Sequence, residues 1–284
     1  LLLNLAWIQN PEWFGLGGSE SATRLAFVSV GLWWFGFSIP LFRTVSEPVR
    51  PTTESSGSGR GHIRESLLRL TDTLRELRGY RQAFLMLLAF LVYNDGIGTI
   101  IRMATTFGIE IGLAQGDLIA AIVLVQFIGV PFSFVFGQLA RSLGAKQAVC
   151  LSLAVYVAIS VLAYGMTTAT EFYILASLVG MVQGGSQALS RSLFASMVPR
   201  HKSAEFFGFF GVFEKFAGIV GPGLFAVMIL LTGSSRGAIL SVVAFFVSGG
   251  LLLLKVDVSE GQRVARESEA RFRTLDTALG AGAR

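Results

Sequence analysis

Seven apolar runs, each long enough to cross a bilayer, alternate with polar connections in this chain, and few folds accommodate that pattern. A helix needs roughly 20 mostly apolar residues to cross ~30 Å of hydrocarbon. The runs are Leu25–Phe42, Ala83–Phe107, Leu118–Gly137, Ala148–Met166, Phe172–Ser190, Phe206–Leu231 and Gly237–Val256. A soluble core would not keep charges out of windows this long, nor reach a mean hydropathy of +0.64. The pattern predicts an all-α, multi-pass integral membrane protein whose surroundings are the lipid bilayer.

Inventory narrows the chemistry. Cys150 stands alone inside a span, which leaves no disulfide framework or thiolate metal site within the chain. His62 and His201 are the only histidines, and both sit in polar connections, so zinc and Ser-His hydrolase chemistry are not expected. No catalytic residue, metal ligand or cofactor is assigned. Leu1–Trp7 reads as the tail of an earlier span, because no basic leader precedes it and no small-residue cleavage site follows at once. The expectation is a fragment whose amino-terminal bundle is missing.

The net charge of +5 does not point to nucleic acid, because of where the basic residues lie. They gather after the first, third, fifth and seventh runs, while the connections of opposite parity hold only Arg24 and Arg236. The positive-inside bias places the 43–81 connection and the carboxyl tail in the cytoplasm. A bacterial inner membrane is the expected location.

Four segments follow. Residues 1–42 end one bundle, with a partial and a full span, and 43–82 form a cytoplasmic linker. Pro48, Pro51 and the Ser55–Gly61 stretch open that linker, and an amphipathic helix over 63–79 closes it, with Ile63, Leu67, Leu70, Leu74 and Leu77 at helical spacing. This helix either clamps two bundles or lies in the interface with its apolar stripe down. Six spans occupy 83–256, and the charged tail 257–284 is expected to be disordered or a frayed helix.

Polar residues inside the spans carry the functional signal, since an unpaired Asp or Arg at mid-depth costs about 2.5–3.5 kcal/mol. Asp95 and Arg102 lie seven residues apart on one helix face, with Thr99 and Thr106 beside them. Such a stripe faces either a water-filled cavity or a partner; a structural Asp–Arg pair is the alternative. Phe172–Ser190 shows a matching stripe of Gln183, Gln187 and Ser190 beside Gly180, Gly184 and Gly185. The two helices run in opposite directions, as the first helices of two inverted triplets would; coincidence is the other reading. Glu214 shares a face with Gly211, Gly218 and Gly221, whereas Lys215 points elsewhere and is expected to snorkel. Gly221-Pro222-Gly223 marks a kink, Gln126 reads as a helix-to-helix hydrogen bond, and Arg191, Arg200, His201 and Lys202 mark the cytoplasmic edge.

Gly137 to Lys146 resembles, in degraded form, the Gly-x-Leu-(small)-Asp-Arg-x-Gly-Arg-Lys loop of the major facilitator superfamily, with Arg141 at its acidic position and Ser142 at its next Arg. Tyr93-Asn94-Asp95-Gly96, Gln183 to Ser192, and Pro199 to Gly211 with Glu214-Lys215-Phe216 are similar to the unknown major facilitator family, which includes the autophagy-related vacuolar amino-acid effluxers of fungi. The resemblance spans Arg24 to Val256 and implies a six-helix carboxyl-terminal bundle plus one span of the amino-terminal bundle. It also implies that Asn94, Asp95, Gln183 and Gln187 lie beside substrate, and its fungal members imply export of neutral or hydrophobic amino acids.

The function expected from these residues is secondary transport of a small polar solute, amino acids among the candidates, by alternating access. Substrate or proton contact falls to Asn94, Asp95, Thr99, Arg102, Gln183 and Gln187, with protons as a coupling ion; gating falls to Glu214, Lys215 and Arg191. A non-transporting receptor or assembly protein on a transporter scaffold is the alternative. An intramembrane enzyme is not, because no nucleophile–base pair is present.

Overall fold

In hydrocarbon no water is available to the backbone, so each crossing segment must close its own hydrogen bonds, and a helix does so within one segment. The computed structural model describes residues 2–44 and 71–282, and every apolar run there is a helix. These residues are helical with short turns, and no strand occurs among them. They fall into two units. The first holds α1 (Leu2–Gln9), a 3-10 turn at Pro11–Phe14 and α2 (Ser19–Thr44). Ala22 and Ala26 are buried in this unit, and the Ser29 hydroxyl bonds Asn4 Oδ1 at 3.1 Å, tying α1 to α2.

The second unit begins with a helix whose described part is 71–79, here α3. It continues through α4 (Arg81–Glu110), α5 (Gln115–Leu143), α6 (Ala145–Tyr164), α7 (Ala169–Ser196), α8 (Ser203–Thr232), α9 (Ser235–Leu254) and α10 (Val258–Gly282). The expected linker, with Ile63, Leu67 and Leu70, lies outside the described residues. Within α3, Leu77 is fully buried and Glu76 pairs with Lys202 at 3.1 Å, so this end of the amphipathic helix docks on its bundle.

Six described helices are long and apolar enough to cross a membrane: α2, α4, α5, α6, α8 and α9. The expected span Phe172–Ser190 lies in α7, which at 28 residues matches them in length but not in apolarity. The reason is its company. Gln183, Ser186, Gln187 and Ser190 turn toward protein, because α7 packs along both α5 and α6. The α5 contact is close: a side chain at Gly185 would run into the Phe136 ring, and a Cβ at Gly180 would stand 2.9 Å from the Val125 carbonyl.

Helix pairing in α4–α9 has an internal symmetry. The α4–α8 contact is answered by α7–α5, α4–α9 by α7–α6, and α8–α9 by α5–α6, while α6–α9 and α4–α7 map onto themselves. Exchange of the triplet α4–α6 with α7–α9 therefore maps these pairs onto one another, with the slight α4–α5 contact as the exception. Gly144 alone separates α5 from α6, and its φ of +94° is open to glycine at little cost. Next to it, the Lys146 ammonium donates to the Leu254 and Val256 carbonyls at 2.8 Å each, capping the end of α9.

The charged tail departs from expectation, since it forms the helix α10 and docks where α4 begins and α7 ends. Gly261 and Ala265 are buried, the Tyr80 and Ser268 hydroxyls lie 2.8 Å apart, and the Arg200 amide donates to Glu269 at 2.8 Å. The His201 ring stacks on Phe272 at 4.5 Å. Small and apolar residues at 258, 261, 265 and 272 make one narrow face, and charges cover the rest. The start of α10 is held by carboxylates. The Ser259 hydroxyl and the Glu260 amide keep Asp257 below the usual carboxylate range, and Arg263 does the same for Glu260. A carboxylate whose pKa is depressed on folding stabilises above its unfolded value, about 4, and that support is lost as pH falls through the lower folded value. Protection from hydrogen exchange along 258–274, relative to an unstructured chain at the same pH, is accordingly expected to hold at neutral and mildly acidic pH and to fall, starting from Val258, below about pH 4. Fast exchange at neutral pH would remove α10 as a docked element.

Candidate functional site

Pro222 lies inside α8, and because proline has no N–H it leaves the carbonyl four residues earlier without its helical donor. That carbonyl belongs to Gly218, and Arg102 Nη1 approaches it from α4 at 3.4 Å. One residue before the proline, the Gly221 amide donates to Asp95 Oδ2 at 2.7 Å. The Thr99 hydroxyl donates to the Asp95 carbonyl at 2.7 Å and lies where a Gly221 side chain would be. Asp95 and Arg102 share a face of α4 as the spacing predicts, yet they form no ion pair with each other; both contact the α8 backbone beside Pro222 instead. Asp95 is only 3% exposed, and its Oδ1 has no partner among the described residues.

A polar pocket of about 360 Å³ opens beside Gly218. Asn94, Gly98, Ile101 and Arg102 of α4 line it, with Gln187 and Arg191 of α7 and Glu214, Lys215 and Gly218 of α8. Arg191 Nη2 lies 2.6 Å from Glu214 Oε1. Arg102, Arg191 and Lys215 are exposed and Glu214 is half-buried, so three cations and one carboxylate meet near the middle of the bundle. At this level the Tyr93 and Ser190 hydroxyls, 2.5 Å apart and buried, join α4 to α7.

Expected site residues thus divide. Asn94, Arg102, Gln187, Arg191, Glu214 and Lys215 come together in the pocket, while Asp95 and Thr99 lie behind it at the α4–α8 contact. Gln183 lines a separate, apolar cavity one helical turn away, and so does Gln126, whose side chain makes no hydrogen bond to another helix among the described residues. Lys215 does not point away from Glu214's surroundings as the helical spacing implies; it reaches the same pocket. Arg191 belongs to the pocket as well as to a basic edge. Its pairing with Glu214 joins residues 23 positions apart, a relation no local spacing reveals.

Residues 8–266 match the family described as vacuole effluxer Atg22-like. The chain belongs to this family. The uncharacterized MFS-type transporter YxiO of Bacillus subtilis (strain 168) is 40% identical over 250 residues, covering 86% of this chain and 57% of that protein. Autophagy-related protein 22-1 of Aspergillus niger is 28% identical over 261 residues, covering 85% of this chain and 42% of its own. Autophagy-related protein 22 of Yarrowia lipolytica is 26% identical over 283 residues, with coverages of 89% and 47%. The chain spans about half the length of these curated Atg22-like relatives.

Proposed function

We propose that this chain is the solute-binding half of a secondary transporter that moves a small polar solute, of the amino-acid class, by alternating access. One observation carries the reading: charged and amide side chains from α4, α7 and α8 converge on one pocket. An exposed arginine facing acyl chains costs about 2.5–3.5 kcal/mol, so Arg102 and Arg191 are better served by water and solute than by lipid. A surplus of cations suits a solute carboxylate, with Glu214 left to receive an amine and Asn94 and Gln187 to supply hydrogen bonds. Names of the relatives, a transporter and fungal autophagy proteins, support the same reading over a receptor on a transporter scaffold.

In this reading 1–42 ends one bundle, 43–82 links it to the bundle of 83–256, and 257–284 is the tail. A second bundle of the same protein closes the open side of the pocket, and the greater length of the relatives leaves room for it. The basic connections place the linker and α10 in the cytoplasm, and the bacterial relative supports an inner-membrane location. Motion would centre on the proline-containing stretch Gly218–Gly223, which Arg102 contacts at Gly218 and Asp95 at Gly221. Proton coupling is assigned to Asp95, because protonation would weaken its grip on the Gly221 amide. In proteoliposomes of the whole protein, Asp95→Asn is expected to flatten the pH dependence of solute flux. A variant that transports with the wild-type pH profile would remove proton coupling at this residue.

A further inference from the structure

The apolar cavity one turn beyond the charged pocket is used by nothing described so far. We propose that it is a second binding site, taking an uncharged, ring-sized apolar group that carries one hydrogen-bonding atom. The cavity measures about 190 Å³ and lies among α4–α9, walled by residues such as Met103, Phe172, Val179 and Phe225. Protein interiors pack like organic crystals, so a void of this size forfeits contacts that a guest would restore. An apolar cavity of about 150 Å³ suffices for benzene, which sets the guest here at one ring with a small substituent.

Two features make the site more than an empty gap. Gln126 of α5 and Gln183 of α7 both line it, and neither side-chain amide has a hydrogen-bond partner among the described residues. Gln183 is half-buried and Gln126 exposed, so both amides can be reached, and a guest hydroxyl or carbonyl would bond one of them. No Asp, Glu, Lys or Arg lines the cavity, which excludes a charged guest. A way in exists at the seam of α4 and α5, which touch little; Ile101, Thr105 and Ile122 stand exposed along it. Ile101 also lines the charged pocket, yet the chemistry on its two sides differs completely. The proposal does not depend on what the charged pocket carries.

Thermal unfolding of the full chain in detergent, titrated with benzyl alcohol, toluene and phenylalanine, tests it. Benzyl alcohol is expected to raise the unfolding midpoint saturably, with an affinity about threefold to tenfold above that of toluene, the value of one neutral hydrogen bond. Gln183→Leu should bring benzyl alcohol down to the toluene level, and Ala176→Phe, which fills the cavity, should abolish both effects. The Gln183→Leu comparison keeps the test decisive should Ala176→Phe fail to fold. Shifts that rise without saturation, or that are unchanged in both variants, would overturn the site. Stabilisation by phenylalanine but not by benzyl alcohol would also overturn it, making the cavity an annex of the charged pocket.

Discussion

Glu214→Gln is expected to cut solute exchange by the whole protein in proteoliposomes about tenfold or more. The substitution keeps size and one acceptor oxygen but leaves Arg191, 2.6 Å away, without its counter-charge. The pair is partly open to solvent, its side chains 52% and 29% exposed, so the expected loss comes from the changed charge of the pocket; a tenfold loss corresponds to about 1.4 kcal/mol. Arg191→Gln should produce a loss of the same order. The reversed pair, Arg191→Glu with Glu214→Arg, restores the attraction but moves the positive charge to α8, so partial recovery of exchange is expected. Full activity in either single variant would show that the pair only decorates the edge of the bundle, as exposed ion pairs often do.

Gly221→Ala should be among the most damaging single substitutions to stability. The added methyl group would overlap the Thr99 hydroxyl and lie 3.0 Å from both the Asp95 carbonyl and Oδ1. Overpacking of this kind costs about 1–3 kcal/mol. Separation of α8 from α4 would also break the Gly221–Asp95 bond, and hydrogen bonds to charged groups contribute about 1.5–3 kcal/mol. A marked fall in the thermal unfolding midpoint is therefore expected. Thr99→Ala removes the atom nearest the new methyl group and should return part of the loss when combined with Gly221→Ala. A Gly221→Ala protein as stable as the parent would mean that α4 and α8 do not approach this closely.

Much of the fold could be read from apolar run length, because hydrocarbon thickness fixes how long a crossing helix must be. Five of the seven runs lie within a helix and the other two overrun theirs by two residues, while α8 continues through Gly221-Pro222-Gly223, where composition implies a kink. The tail was harder. Its charge density suggests disorder, and the signal for α10 is the sparse spacing of Val258, Gly261, Ala265 and Phe272, whose docking partners lie far away in sequence.

At the site, spacing placed Asp95 and Arg102 on one face but not what that face meets. The short aspartate stops at the Gly221 amide, whereas the long arginine reaches past Gly218 into the pocket. Lys215 joins the pocket for the same reason of reach, and a helical wheel does not measure side-chain length. Gln183 and Gln187 sit one turn apart on one stripe, yet they line cavities of opposite character, because their surroundings come from other helices.

The central claim is that water and solute reach the pocket between α4, α7 and α8. Single cysteines at Asn94, Gln187 and Val161, introduced into Cys150→Ala whole protein in vesicles, test it with a charged, membrane-impermeant thiol reagent. Gln187→Cys and Asn94→Cys are expected to react, more slowly when transported solute is present, while Val161→Cys, 53% exposed on the outer surface of α6, stays unmodified in lipid. Pocket cysteines as inert as the one at Val161, from either side of the membrane, would contradict the account.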